Sequence, residues 1–131
     1  MSLPPVFIPA PRRVRRKRRQ VASSVPALVL IAADYEWEEA RVTLTFDRAV
    51  NIDGFDGALL LVDDAVEQGV RYEGSGVVTL IGPAVARVGL AEIGASIGPG
   101  VTLTATAGAG IVAADDGAAW PGVTNLNLPF P

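Results

Sequence analysis

Along "RVTLTFD" the apolar residues Val42, Leu44 and Phe46 alternate with Arg41, Thr43, Thr45 and Asp47. A period of two sends one set of side chains to a core face and the other to water, so this stretch predicts a half-buried strand. "VTLTATA" repeats the pattern, with Val101, Leu103 and Ala105 against Thr102, Thr104 and Thr106. "ALVLIAA", "ALLLV" and "GVVTLIG" are instead continuous apolar runs, the pattern of strands covered on both faces. Two weaker strands are expected around Val70–Glu73 and Val85–Leu90. Between these elements "NIDGFDG", "EGSG", "GPG" and "ADDG" supply Gly and Asx residues, which tolerate positive φ or close local side-chain turns. About seven short strands punctuated in this way predict an all-β fold, a single antiparallel sandwich or barrel. Its core is expected to include Leu30, Val42, Leu44, Phe46, Leu61, Leu80, Val101 and Leu103. No helix is expected beyond one turn near "VDDAVEQG" or "AEIGASI", and no internal repeat is found.

The pattern begins only at Ala27. Residues 1–26 hold five of the ten prolines and no apolar periodicity, so they are expected to form an extended arm that does not fold by itself. The chain divides on this reading into the arm (1–26), the β domain (27–117) and a C-terminal stretch (118–131). That last stretch is either an edge strand followed by a tail or an apolar peptide lying on a neighbouring subunit. Its Trp120 and Phe130, with Val6, Phe7 and Ile8 of the arm, are candidate apolar anchors.

Charge follows the same division. Arg12, Arg13, Arg15, Arg16, Lys17, Arg18 and Arg19 are seven of the 11 cations, interrupted only by Val14. The rest of the chain has four arginines against 14 carboxylates, a net −10. The overall charge of −3 therefore conceals a strongly dipolar layout. Arginine forks match phosphate oxygens, so the run can bind nucleic acid; equally it can dock on an acidic protein surface, including the body of another copy. Aromatic residues that would stack bases are missing from residues 9–26.

Little in the chain points to catalysis. There is no Cys and no His, which removes disulfides, thiolate metal sites, an imidazole base and any Ser-His-Asp triad. "NIDGFDG" fails as a calcium loop because Phe55 and Val62 stand where ligands are required, and it reads as a turn held by Asx side chains. Asp63–Asp64 and Asp115–Asp116 are adjacent pairs, which a strand would send to opposite faces. No Gly-rich loop has the context of a nucleotide site, and no catalytic residue, metal or cofactor is expected. The apolar stretch Val25–Ala33 is short, contains Pro26 and runs into a strand pattern, so neither a cleaved signal nor a membrane span is expected.

"RVTLTFDRAV" (Arg41–Val50) and "VTLTATAGAGIVAADDG" (Val101–Gly117) resemble the two ends of small bacterial Ig-like domains. Such domains occur in surface-layer and adhesive proteins and in structural proteins of tailed bacteriophages and prophages. The resemblance covers residues 27–117 and implies an Ig-like β-sandwich used for attachment or assembly, without catalytic residues. The basic Pro-rich arm departs from a secreted adhesin. It fits a virion component assembled in the bacterial cytoplasm, such as a capsid decoration, head–tail joint or tail protein. The expected partners are other virion proteins or copies of itself, with packaged nucleic acid as a further contact of the arm. A secreted or cell-surface adhesive or carbohydrate-binding module and a basic-armed nucleic-acid-binding protein are the alternatives.

Overall fold

A computed structural model of the chain describes residues 26–98 and 100–129. The basic arm, with Val6, Phe7 and Ile8, and Phe130 lie outside the described residues. The strands are β1 (Leu30–Glu36), β2 (Arg41–Phe46), β3 (Val50–Asn51), β4 (Leu60–Asp64), β5 (Val70–Gly82), β6 (Val85–Ala95), β7 (Val101–Thr106), β8 (Val112–Ala113) and β9 (Gly122–Asn127). Short 3-10 turns stand at Gly57–Leu59 and Ala107–Gly110. Seven strands form one antiparallel sheet in the order β1-β2-β6-β5-β4-β7-β9, and β3 pairs with β8 apart from it.

The sheet is curled, and the long β5–β6 hairpin is what joins its two halves. Val78–Gly82 of β5 pairs with the first part of β6, which continues onto β2 and β1. Val70–Gly74 pairs with the last part of β6 and with β4, which leads to β7 and β9. Between these segments the register shifts from Gly74 to Val78, with Gly76 at φ 88°. The Ser75 hydroxyl donates to the Gly89 carbonyl at 3.0 Å and steadies this bulge. Bulges of this kind bend a strand and raise its twist, so one hairpin serves both halves.

Inward side chains of both halves meet in one cluster. Val42, Leu44, Phe46, Ala86 and Val88 come from one half, and Leu60, Val62, Val101, Leu103 and Ala105 from the other. The Gly57 turn lies so close against β5 that a Cβ on Gly57 would overlap the Gly74 carbonyl, and only a bare backbone fits there. Asx turns fix the preceding loop: Asn51 Oδ1 accepts from the Asp53 amide at 2.7 Å, and Asp56 Oδ1 from the Ala58 amide at 3.1 Å.

Several expectations are corrected. Val70–Glu73 and "GVVTLIG" are not separate strands but parts of β5, and "AEIGASI" begins as the end of β6 rather than a helical turn. Continuous apolar runs do not mean two covered faces here: Val29, Ile31, Val77, Leu80 and Ile81 are exposed. Leu80, expected in the core, is 40% exposed, and Leu30 and Leu61 are half-buried, whereas Val42, Leu44, Phe46, Val101 and Leu103 are buried. Of the two readings of residues 118–131 the edge strand is the one observed, and it carries the domain past residue 117. β9 is a sheet strand, and Trp120 is buried with its ring edge-on to Phe46 at 5.2 Å between centroids. Trp120 therefore packs in its own core and is not a free anchor.

Candidate functional site

The topology leaves two edges. Among the described residues β1 pairs only with β2, and β9 only with β7. Each of the six pairings between them is antiparallel, so β1 and β9 run in the same direction. Curling brings these edges to the two sides of one seam. Its lower end is a hollow of about 230 Å³ between Ala27–Leu30 and Trp120–Val123. Its upper part is a groove of about 330 Å³ lined by Leu30–Asp34 on one side and by Val123, Leu126, Asn127 and Pro129 on the other.

The walls are largely apolar because β1 is irregular there. A register shift between Leu30 and Ala32 leaves Ile31 bulged and 63% exposed. Leu126 and Val123 pack partly on the core from the other side. Above the groove, β1 ends in the turn to β2, where Glu38 and Glu39 are exposed. Glu36 is engaged by Arg41 at 2.6 Å, but Asp34, Glu38 and Glu39 have no cationic partner among the described residues. Apolar walls thus lead directly to an acidic rim.

At the foot of the seam the chain is clamped where it enters β1. Arg48 donates to the Pro26 carbonyl at 2.6 Å and pairs with Asp116 at 3.4 Å. The Asp47 carboxylate accepts from the Val29 amide at 3.2 Å. The segment preceding Pro26 therefore leaves from a fixed point beside the lower hollow.

Two further carboxylates, Asp63 and Asp64, hold the fold together. Asp63 and Asp64 face opposite ways, as adjacent strand residues must. Asp63 accepts from Arg71 at 2.5 Å on the outer face. Asp64 is fully buried, taking the Tyr35 hydroxyl at 2.8 Å and the Glu67 amide. Burial, and then the Asp64 hydrogen bond and charge, push the Tyr35 pKa far above its ordinary value. Among the described residues no group of three acidic side chains is placed to hold a metal ion. No helix among them is long and apolar enough to cross a membrane.

Of the candidate contact and anchor residues, only Trp120 is described, and it is buried at the lower end of the seam. Sequence reasoning missed the groove itself, whose only local signal was Ile31 inside an unbroken apolar run. No protein family, curated protein or solved structure matches this chain.

Proposed function

We propose that the chain is a non-enzymatic assembly protein of a phage-like virion, a capsid decoration, head–tail joint or tail component. Its curled sheet acts as an Ig-like, sandwich-type spacer, and its basic arm fastens it to acidic neighbours. The observation that carries the reading is the separation of charge between arm and body. Of the four arginines in the body, three pair with carboxylates of the same body, at Glu36, Asp116 and Asp63. The other 11 of the 14 carboxylates have no such ion-pair partner among the described residues, while seven cations stand together in the arm. An acidic body of this kind attracts basic arms over a Debye length of about 10 Å at 0.1 M salt and repels other bodies.

The resemblance of Arg41–Val50 and Val101–Gly117 to phage-type Ig-like domains supplies the virion setting. The test compares the full chain with a variant in which all seven cations are Gln. Sedimentation and binding to duplex DNA are measured at several salt concentrations. Self-association that falls with salt and is lost in the Gln variant supports an arm that holds protein. Steep salt-dependent DNA binding without self-association moves the reading to nucleic acid. Equal behaviour of the two chains in both assays rejects it.

A further inference from the structure

We propose that the seam between β1 and β9 is a docking groove for the N-terminal arm of a second copy. Val6–Ile8 would lie in the groove and the following cations on the Asp34–Glu39 rim. The inference rests on the assembly reading above and names the surface through which it acts.

The groove and the arm match in order as well as in character. The groove is apolar along Leu30–Ala33 and Leu126, and moving up β1 it gives way to Asp34, Glu38 and Glu39. The arm is apolar at Val6–Ile8 and, after Pro9, Ala10 and Pro11, turns cationic at Arg12. A segment running parallel to β1 therefore sets apolar residues against apolar walls and reaches the acidic turn with its arginines. Ile8 and Arg12 are four positions apart, a reach of up to about 14 Å. That suits the step from mid-groove to the rim, since Ala32 to Glu36 is four residues of strand, about 13 Å.

Free strand edges are the usual place for an extended peptide to add, through main-chain hydrogen bonds and pockets for alternate side chains. Pro5 and Pro9 bracket the three apolar residues, and neither has an amide to donate. The added pairing is thereby confined to a short segment, which occupies the edge without extending the sheet further.

Chain direction favours a second copy over the same one. The arm rejoins the domain at Pro26, clamped at the foot of the seam. Arg19 is seven residues from Pro26, at most about 25 Å. β1 alone is about 20 Å long, and Pro26–Val29 must still be spanned below it. A chain filling its own groove parallel to β1 would have to reverse after Arg12 and bring its remaining cations back down past the apolar walls to Pro26, away from Glu38 and Glu39. An arm from another copy carries no such restriction, and two copies can exchange arms around a two-fold axis.

The test uses the full chain with a photo-crosslinking phenylalanine analogue in place of Phe7. Isotopically heavy and light copies are mixed so that crosslinks between copies are distinguished from those within one. Crosslinks between copies that fall on residues 30–34 or 123–129 are expected. Crosslinks confined to one copy overturn the exchange, and crosslinks elsewhere overturn the groove. A second arm uses Ile31→Lys with Ala32→Lys, both at exposed positions and so compatible with folding. Circular dichroism should be unchanged, and self-association should weaken about tenfold or more, the scale of one lost anchor contact. If the Gln-arm variant loses association but the Ile31/Ala32 variant keeps it, the assembly reading stands and the groove falls. If the Gln-arm variant keeps association too, the assembly reading itself fails.

Discussion

Replacing Phe46 with Ala removes the largest side chain that β2 contributes to the core. Phe46 is 2% exposed and stands edge-on to Trp120 at 5.2 Å and 79°. Most of the surrounding core consists of Ala, Val and Leu, whose short side chains cannot reach in to fill the vacated volume. Large-to-small changes of this kind cost about 3–5 kcal/mol, of which the aromatic pair supplies roughly 0.5–1.5. A loss of about 3 kcal/mol corresponds to a melting temperature lower by at least about 12 °C for a domain of this size. Urea unfolding followed by circular dichroism measures it, with Leu80→Ala as the control in the same half of the sheet. Leu80 is 40% exposed, so its truncation should cost no more than about 1 kcal/mol. A cycle of Phe46→Leu and Trp120→Leu isolates the ring contact, with a coupling of about 0.5–1.5 kcal/mol expected. Equal losses from Phe46→Ala and Leu80→Ala, or no coupling in the cycle, would refute the register of β2 and the burial of Trp120.

Tyr35→Phe leaves buried Asp64 without its hydroxyl donor and should cost about 1–3 kcal/mol at neutral pH, read from urea midpoints. Because the folded Tyr35 pKa lies above the ordinary value of 10.0, the folded state favours the protonated hydroxyl, and that contribution is complete below pH 10 and lost above it. Alkaline unfolding followed by circular dichroism should therefore be steeper above pH 10 in the parent than in Tyr35→Phe, and identical slopes would contradict the assignment. Gly108→Ala places a Cβ onto the Trp120 carbonyl at a φ of 65°, and should lower stability by about 1–3 kcal/mol in thermal melts. Replacing the seven arm cations with Gln should leave the urea midpoint within about 0.5 kcal/mol of the parent, since exposed charges contribute little to folding.

The strands that alternate strictly were legible because period two states which face is buried. Val42, Leu44 and Phe46 and then Val101, Leu103 and Ala105 point inward as their pattern requires. Continuous apolar runs carry no such information. "VVTLI" forms the part of β5 beyond its pairing with β4, and "LVLI" enters an edge strand through a bulge, so both keep large side chains in water. Trp120 reads from the sequence as a candidate anchor because it stands in a proline-rich stretch that could be an edge strand or a peptide on a neighbour, yet it is buried. Its burial depends on Gly108, whose missing Cβ makes room for the Trp120 backbone, and such a contact between distant turns leaves no periodic trace. The Tyr35–Asp64 pair, 29 residues apart, is equally invisible in the chain. The groove was unreadable for a topological reason, since it exists only because the first and last strands of the sheet are both edges.

An open sheet must keep its edges from pairing with the wrong partner, and this chain does so mainly with charge. The β1 edge carries a bulge at Ile31 and the carboxylate of Asp34, and β9 breaks its line at Asn125, where φ is 51°. Within the sheet, the part of β5 beyond its pairing with β4 also has an open side and is less guarded, for no charged residue stands between Gly74 and Ala86 although Val77, Leu80 and Ile81 are exposed. At a net −10, two bodies approaching one another edge to edge repel, and that repulsion weakens as salt screens it. The arm reverses the sign of the encounter only where seven cations meet unpaired carboxylates. On the proposed reading, body-to-body pairing through β5 is thereby disfavoured while arm-to-body contact is steered toward the acidic rim. The two modes respond oppositely to ionic strength: raising salt should release arms and at the same time promote edge association. A full chain whose self-association first falls and then rises with salt would display both, whereas the Gln-arm variant should show only the rise.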